Sequence, residues 1–224
     1  MSEQQLGPGP NTRVRRLPEK ANYDADVIFT ILDEARLCHL GAVVNDVAMV
    51  LPTLHAREGR TLYLHGSKSN AAMKAVVAAK RACVTATLYE GLRLARSGFE
   101  SSIAYRSVVV VGEARQIEDD VEKTRILNMF VDAVLPGRAA EVRPMTEQEQ
   151  RLTMVVAVSI DEASAKVSSG PTTDFEEDLD LPIWSGVVPA HLHFDAPVAS
   201  IDGAMASGDI ALPVSVQRLL DQQR

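Results

Sequence analysis

Short apolar runs follow one another along this chain with links too short to hold a helix, and this spacing constrains the fold most. CHLGAVV (38–44) and VAMVLPTLH (47–55) flank Asn45-Asp46, a two-residue hairpin signal. Further strands are predicted at TLYLH (61–65), ACVTATL (82–88), GLRLARS (91–97), YRSVVVVGEARQI (105–117) and TMVVAVSI (153–160), with Glu90-Gly91 as a turn. Parallel strands need long crossovers, so the pattern predicts an antiparallel barrel.

Helical patterns occur at the start, in the middle and late in the chain. Apolar residues recur at helical spacing between Asp24 and Leu37, and Asp24 is placed to cap that helix. A second helix follows Asn70, and a third follows Asp119-Asp120 and stops at Pro136-Gly137. The predicted class is therefore mainly β with flanking helices.

The chain contains no internal repeat and no linker that would divide it. Its 224 residues fit a single large domain. Residues 1–12 are predicted to be a disordered tail, and residues 13–189 to form the barrel domain. Residues 190–224 are predicted to be an extension that wraps the barrel or a partner subunit.

Composition excludes several classes of function. The net charge of −7 and the pI near 5.3 disfavour nucleic-acid binding, which needs a basic face. No run of 18 apolar residues predicts a membrane span, and the polar N-terminus lacks a signal core, so a cytoplasmic location is expected. Cys38 and Cys83 lie in apolar runs and are predicted to be buried free thiols.

The segment Thr61–Asn70, TLYLHGSKSN, is the first candidate for function. A strand meets Gly66, followed by the polar residues Ser67, Lys68, Ser69 and Asn70, and then by a helix. Hydroxyls, an ammonium and free N–H groups at a helix start favour an anion. Neither a Walker loop nor a dinucleotide fingerprint is present, so the signal is weak when taken alone.

Other polar clusters are less informative. His191 and His193 form the only close histidine pair and have no third ligand nearby, so no metal site is expected. The acidic loop from Asp174 to Asp180 lacks the glycine of a calcium loop and is predicted to be solvated. Arg106-Ser107 places a guanidinium and a hydroxyl side by side on a strand, where one of them can reach a ligand.

Several segments together resemble the pyridoxamine 5′-phosphate oxidase-like flavin-binding split barrels, nearest the nitroimidazole-resistance and flavin-nucleotide-binding branch. The matching segments are VRRLPEKANYD (14–24), ILDEARLCHLGAV (31–43), LYLHGSKSNAAMKAV (62–76), residues 83–115, LPGRAAEVRPMTEQE (135–149) and residues 162–189. The resemblance implies a six-stranded antiparallel split β-barrel of the FMN-binding type. It also implies a homodimer with FMN at the subunit interface.

The resemblance also implies which residues bind the flavin. The second strand, with Met49, Val50, Leu51 and Thr53, would run beside the flavin ring, and Ser67, Lys68 and Asn70 would meet its phosphate. Arg106 and Ser107 would reach the flavin from the central strand, and Trp184 would stand near the ring. His65 is the candidate catalytic residue, as a proton donor or an orienting group.

The function expected on this basis is FMN-dependent redox chemistry on an unknown small molecule, such as a nitro compound or a quinone-type acceptor. True vitamin B6 oxidation is not expected, because PIWSGVV lacks the arginine that should follow Trp184. A non-catalytic flavin carrier is an alternative. Deazaflavin in place of FMN is another, and so is a haem-binding barrel with His65 or His39 as axial ligand.

Overall fold

The structure is a computed structural model that describes residues 5–199 and 210–222. In that part the chain forms eleven strands: β1 (Ala21–Asn22), β2 (Cys38–Val44), β3 (Val47–Thr53), β4 (His55–Glu58), β5 (Thr61–Ser67), β6 (Ala82–Leu94), β7 (Ser102–Gly112), β8 (Ala114–Gln116), β9 (Thr153–Ser159), β10 (Glu162–Ser168) and β11 (Gly186–Pro189). The α-helices are α1 (Ala25–Glu34), α2 (Ala71–Ala78), α3 (Asp120–Val134), α4 (Glu147–Leu152) and α5 (Val214–Asp221).

Side-chain caps fix where four of these helices begin. Asp24 accepts a hydrogen bond from the N–H of Asp26 at the start of α1, and Asp119 accepts one from Glu122 at the start of α3. Asn70 caps α2, and Thr146 begins α4 with a capping box. These side chains satisfy backbone donors that have no partner inside the helix.

The strands form two antiparallel sheets that do not close on each other. The larger sheet has the order β1-β10-β7-β6-β2-β3, with β11 paired to the far end of β6. The smaller has the order β4-β5-β9-β8. This arrangement confirms the predicted mainly β, antiparallel split-barrel class, and it leaves β3 and β4 at sheet edges.

Two apolar clusters hold the fold together. The main core lies between the sheets and is filled from α1, β6 and β7 by side chains such as Ile28, Val84 and Val108. The second cluster lies where α3 covers the smaller sheet, with Ile126 and Phe130 packed against that sheet. The smaller sheet is therefore buried on one face by the barrel core and on the other by α3.

Three predictions about local structure are wrong. Glu90-Gly91 is not a turn, because β6 runs unbroken through it with a bulge between Tyr89 and Gly91. Gly91 has φ +138°, and an added Cβ would lie 2.2 Å from the carbonyl oxygen of Val188 on β11. The glycine therefore marks a close approach of two backbones.

The segment 47–55 is not one strand, since β3 ends at Thr53 and His55 opens β4 in the other sheet. Cys38 is buried as predicted, but Cys83 is exposed. It lies on the opposite side of β6 from the buried Val84, because successive side chains of a strand point to opposite faces.

Both ends of the described chain make contacts with the rest of the fold. Residues 5–12, predicted to be disordered, are placed by a bridge between Gln5 and Asp24 and by the buried side chain of Leu6; residues 1–4 lie outside the described chain. Residues 190–199 have no regular secondary structure. Ser215 of α5 donates from its N–H to Glu141 at 2.9 Å. No helix among the described residues is long and apolar enough to cross a membrane.

Candidate functional site

The predicted anion turn has the expected strand–turn–helix geometry. The hydroxyls of Ser67 and Ser69 are 2.8 Å apart, and the N–H of Ser69 donates to Ser67 Oγ at 3.2 Å. The side chain of Asn70 accepts from Met73 N–H at 3.1 Å and so caps α2. The ammonium of Lys68 is exposed, and no carboxylate of the described chain lies within 4 Å of it. This turn offers donors and one positive charge to a phosphate.

A second lysine, not recognised from the sequence, lies near this turn. Lys123 of α3 is only 6% exposed, and its ammonium donates to the carbonyl of Gln150 near the end of α4. The N–H of Lys68 donates to the carbonyl of Leu152, at the end of the same helix. Burial lowers the pKa of Lys123, and the charge of Lys68 lowers it further. The turn therefore has two cations beside it rather than one.

The other predicted flavin residues lie on the surface of the larger sheet and on the segment before β11. Met49, Val50, Leu51 and Thr53 are on the edge strand β3, where Val50 is 67% exposed. Trp184, two residues before β11, is 64% exposed. Within a single chain these residues form an open surface, and the structure does not enclose them in one cavity with the turn.

Arg106 and Ser107 lie on β7 but differ in their contacts. Arg106 binds Glu34 at 2.6 Å and Glu90 at 2.5 Å, which ties β7 to the end of α1 and to β6. Ser107 lies directly opposite Lys166 of β10 in the sheet register. The guanidinium of Arg106 is thus already paired, whereas Ser107 remains available on the other face.

A cavity of about 1000 Å³ lies at the free edge of β4, between the ends of α1 and α3. Its lining includes the apolar residues Leu32, Ala35, Leu54, Ala56, Leu88, Met129, Phe130, Ala133, Val134, Pro136, Leu192 and Phe194. The polar lining comprises Asp33, Glu34, Arg36, His55, Arg57 and Asp132. None of the predicted flavin residues lines this cavity. Small-molecule and cofactor sites in proteins are typically cavities of this size with mostly apolar walls.

His55 is the residue of greatest chemical interest in the cavity lining. It is buried, and its Nε2 lies 2.7 Å from the carbonyl oxygen of Leu32. A carbonyl only accepts, so Nε2 carries the proton and Nδ1 keeps a lone pair. Nδ1 is buried and has no partner among the described residues. Burial lowers the pKa of His55, which keeps the ring neutral. A neutral imidazole that donates one N–H to a backbone carbonyl is oriented as a metal ligand.

His65 lies on the other side of the same two strands. His55 is opposite Leu64 in the sheet register, so the next residue, His65, points to the opposite face. There its ring packs on Phe130, with centroids 4.2 Å apart. Its Nδ1 is buried and has no hydrogen-bond partner among the residues that the structure describes, and burial lowers the pKa of His65. Phe130 also lines the cavity. His55 and His65 therefore lie near the cavity, on opposite faces of the smaller sheet.

The cavity contains both signs of charge. Arg57 forms a bidentate pair with Asp33, and its Nε lies 2.8 Å from Asp33 Oδ1. Arg36 donates to the carbonyls of Ala133 at 3.3 Å and Val134 at 3.0 Å, at the end of α3. It has no carboxylate within 4 Å in the described chain. Arg36 is therefore placed to pair with a carboxylate of a bound molecule.

The remaining histidines lie elsewhere. His39 is on β2, half-buried, and does not line the cavity. His191 and His193 are exposed in the segment without regular secondary structure. Across residues 5–199 and 210–222, no three His, Cys, Asp or Glu side chains are grouped to hold a metal ion.

Comparison with known proteins places the chain in a family. Residues 24–167 match the family described as pyridoxamine 5′-phosphate oxidase. The chain is similar to the flavocytochrome Anf3 from Azotobacter vinelandii, with 35% identity and a TM-score of 0.87 over 94% of this chain and 96% of that one. No curated protein matches.

Two further solved structures are similar. A FAD and haem binding protein from Mycobacterium smegmatis shares 32% identity, with a TM-score of 0.83 over 89% of this chain and 97% of that one. A protein from Bacteroides thetaiotaomicron, named as a 5-nitroimidazole antibiotic resistance protein, shares 23% identity. Its TM-score is 0.56 over 66% of this chain and 86% of that one. The last similarity concerns the fold alone.

Proposed function

Since the chain belongs to the pyridoxamine 5′-phosphate oxidase family, we propose that it is a flavin-dependent redox protein that also holds a haem in the cavity beside His55. One observation carries the haem assignment: His55, whose buried Nδ1 has no hydrogen-bond partner among the described residues, is one of the residues that line a cavity of about 1000 Å³. Two relatives at 32–35% identity are a flavocytochrome and a FAD and haem binding protein.

The cavity lining fits a flat apolar molecule that carries carboxylates. Phe130, Met129 and Phe194 supply apolar walls, and Arg36 supplies a cation without a carboxylate partner. His55 would hold the haem iron, because the carbonyl of Leu32 fixes its tautomer and burial keeps it neutral. The sequence had suggested His65 or His39 for this role. The tautomer of His65 is not fixed by any hydrogen bond in the described chain, and His39 does not line the cavity.

The flavin is proposed to bind along the predicted surface, with its phosphate at Ser67 and Lys68. The donors there fit an anion, and Lys123 adds a second cation. FMN is the flavin implied by the family resemblance; FAD would present a diphosphate to the same two lysines. A bound flavin supplies one- and two-electron chemistry, while the chain orients it and sets the charge around it.

This chain's own residues have separate roles in the proposal. Lys68 and Lys123 bind the phosphate, and Ser107 donates to the flavin from β7. Phe130 and Phe194 keep water out of the cavity. His65, with a pKa lowered by burial, is neutral at pH 7 and is placed to accept or return a proton at its Nε2.

A homodimer is part of the proposal. The edge strand β3 exposes Val47 and Val50, and Trp184 is exposed before β11. Apolar side chains on a free sheet edge favour pairing with a second copy, which would close the open flavin surface. Sedimentation equilibrium of the purified protein measures this directly, and a monomer at micromolar concentration would contradict it.

The absorption spectrum of the purified protein tests the cofactors. We expect flavin bands together with a Soret band, and release of the flavin on denaturation identifies FMN or FAD by chromatography. His55→Ala should remove the Soret band and leave the flavin bands. His193→Ala, which removes an exposed histidine, is the matched control. A Soret band that survives His55→Ala but disappears in His65→Ala would move the ligand to the opposite face of the sheet.

A second candidate is a flavin oxidoreductase whose cavity takes an organic acceptor such as a nitro compound or a quinone. The apolar walls at Phe130 and Phe194 favour it as well, since a planar acceptor packs on such rings. Turnover of reduced flavin with an acceptor panel separates this candidate from a non-catalytic carrier. A carrier would not reduce any acceptor faster than free flavin does.

A further inference from the structure

A second cluster of cations lies at the end of β10, outside the turn and the cavity. Lys20 Nζ donates to Ser168 Oγ at 3.4 Å, and Arg93 donates to the same oxygen at 3.2 Å. The ammonium nitrogen of Lys20 and a guanidinium nitrogen of Arg93 therefore lie no more than about two hydrogen-bond lengths apart. Lys166 precedes Ser168 by two residues, so its side chain lies on the same face of β10.

Within the described chain, no ion pair compensates the positive charge of this cluster. Arg93 is only 9% exposed, and besides Ser168 its guanidinium donates to the neutral carbonyl of Pro171. Among the described residues no carboxylate lies within 4 Å of Lys20, Arg93 or Lys166. The nearby Asp174 is bound to Arg96 at 2.6 Å. A buried cation without a counter-charge is costly, because burial removes water that would otherwise solvate it.

This cluster also has more hydrogen-bond donors than acceptors. Arg93 Nε is buried and has no acceptor in the part of the chain that the structure describes. Ser168 is 3% exposed; its oxygen accepts two hydrogen bonds, and its own hydroxyl hydrogen has no acceptor in the described chain. The group thus consists of three cations and a hydroxyl whose open positions are all donors.

We propose that Lys20, Arg93 and Ser168, with Lys166 beside them, form a binding site for the phosphate group of a small-molecule ligand. A guanidinium, an ammonium and a hydroxyl match the several acceptor oxygens of a phosphate. A multiply charged anion suits a site with three cations better than a single carboxylate does. Lys20 is half-buried, so a ligand can approach its ammonium from solvent, whereas Arg93 and Ser168 are buried behind it.

Ser107 links this site to the proposed flavin surface. It is directly opposite Lys166 in the register of β7 and β10, and directly opposite pairs share a face of the sheet. A ligand whose phosphate is held by Lys20 and Arg93 would therefore extend along the face on which the flavin is predicted. Because the flavin phosphate is proposed to bind at Ser67 and Lys68, the phosphate held at Lys20 and Arg93 belongs to a separate molecule, and this step rests on the proposed function.

The test is calorimetric titration of the purified protein, with its cofactors, using inorganic phosphate at constant ionic strength. We expect one site, weakened at least about tenfold by Lys20→Met and by Arg93→Met, which is the scale of a lost charge-assisted contact. Ser168→Ala should weaken binding less. Arg218→Met removes an exposed charge on α5 and should leave phosphate binding unchanged.

Two results would overturn the proposal. One is the absence of detectable phosphate binding to the wild type, or binding to Lys20→Met that equals binding to the wild type. Because Lys20 is only half-buried, Lys20→Met keeps the test valid if Arg93→Met does not fold. The other is release of flavin by Lys20→Met in parallel with the loss of phosphate binding, because the cations would then belong to the flavin site. Phosphate binding that Lys68→Ala abolishes, while Lys20→Met does not, would return the anion to the turn after β5.

Discussion

The ring of His65 lies 4.2 Å from the ring of Phe130, centroid to centroid, at a tilt of 54°. The histidine belongs to β5 and the phenylalanine to α3, so this contact joins the smaller sheet to the helix that covers it. Phe130 also lines the cavity that contains His55. One aromatic side chain therefore separates a proton-active residue from the proposed haem pocket.

Phe130→Ala should destabilise the protein by about 3–5 kcal/mol, the usual result of removing a buried phenyl ring. It should also raise the pKa of His65 toward its ordinary value, because the loss of the ring lets water reach the imidazole. Urea denaturation and NMR titration measure the two effects. Phe99→Ala, which truncates an exposed phenylalanine, is the control and should change neither. An unchanged pKa of His65 would mean that other residues bury it.

Folding stability should fall as the pH decreases from 7 to 5. Burial lowers the pKa values of His55 and His65 below the ordinary value of 6.5, so the unfolded chain takes up protons before the folded one. The stabilisation is complete above the unfolded pKa and is lost as the pH falls through the folded pKa. His65→Gln, which has no charge at any pH, should show a shallower decline. If His193→Gln, at an exposed position, flattens the curve equally, the assignment to buried histidines fails.

Lys68→Ala should weaken flavin binding by about 1–3 kcal/mol, the scale of a charge-assisted hydrogen bond. Lys123→Met should weaken it as well, and more for FAD than for FMN, because a diphosphate offers a second negative group. Fluorescence quenching of each flavin on binding measures both affinities. Lys74→Ala removes an exposed charge one turn into α2 and should have little effect. Equal losses for Lys74→Ala and Lys68→Ala would indicate a general electrostatic field rather than a phosphate contact.

Gly91→Ala should destabilise the chain by about 1–3 kcal/mol, as expected for an alanine forced to positive φ. Its Cβ would also lie 2.2 Å from the carbonyl oxygen of Val188, so β11 would have to move away from β6. Trp184 is the only tryptophan of the chain and lies two residues before β11, so its fluorescence reports this movement. Gly98→Ala adds a Cβ in open space and should leave both stability and fluorescence unchanged.

The sequence was informative wherever local chemistry determines structure. The caps at Asp24, Asn70 and Asp119 and the turn after β5 all depend on residues close together in the chain. The interpretation of Gly91 failed because a glycine with positive φ occurs both in turns and in bulges, and only the approach of β11 distinguishes them.

The candidate site was less accessible to sequence reasoning. Lys123 is 55 positions from Lys68, and the free lone pair of His55 depends on a carbonyl in α1, so neither relationship has a sequence pattern. The neutral, buried state of His55 likewise follows from packing. Only its position directly after a strand with a proline, VLPTLH, hinted that the chain leaves one sheet there.

The free edge of β3 also affects how the protein behaves when the proposed dimer is disrupted. This strand has seven residues, pairs with β2 alone within residues 5–199 and 210–222, and exposes Val47 and Val50. Its outer N–H and C=O groups can add another strand, and Pro52 interrupts that ladder only near the end of the strand. In the proposed dimer the partner shields this edge. A substitution that separates the subunits at constant protein concentration would therefore promote intermolecular aggregation through β3 before it unfolds the barrel.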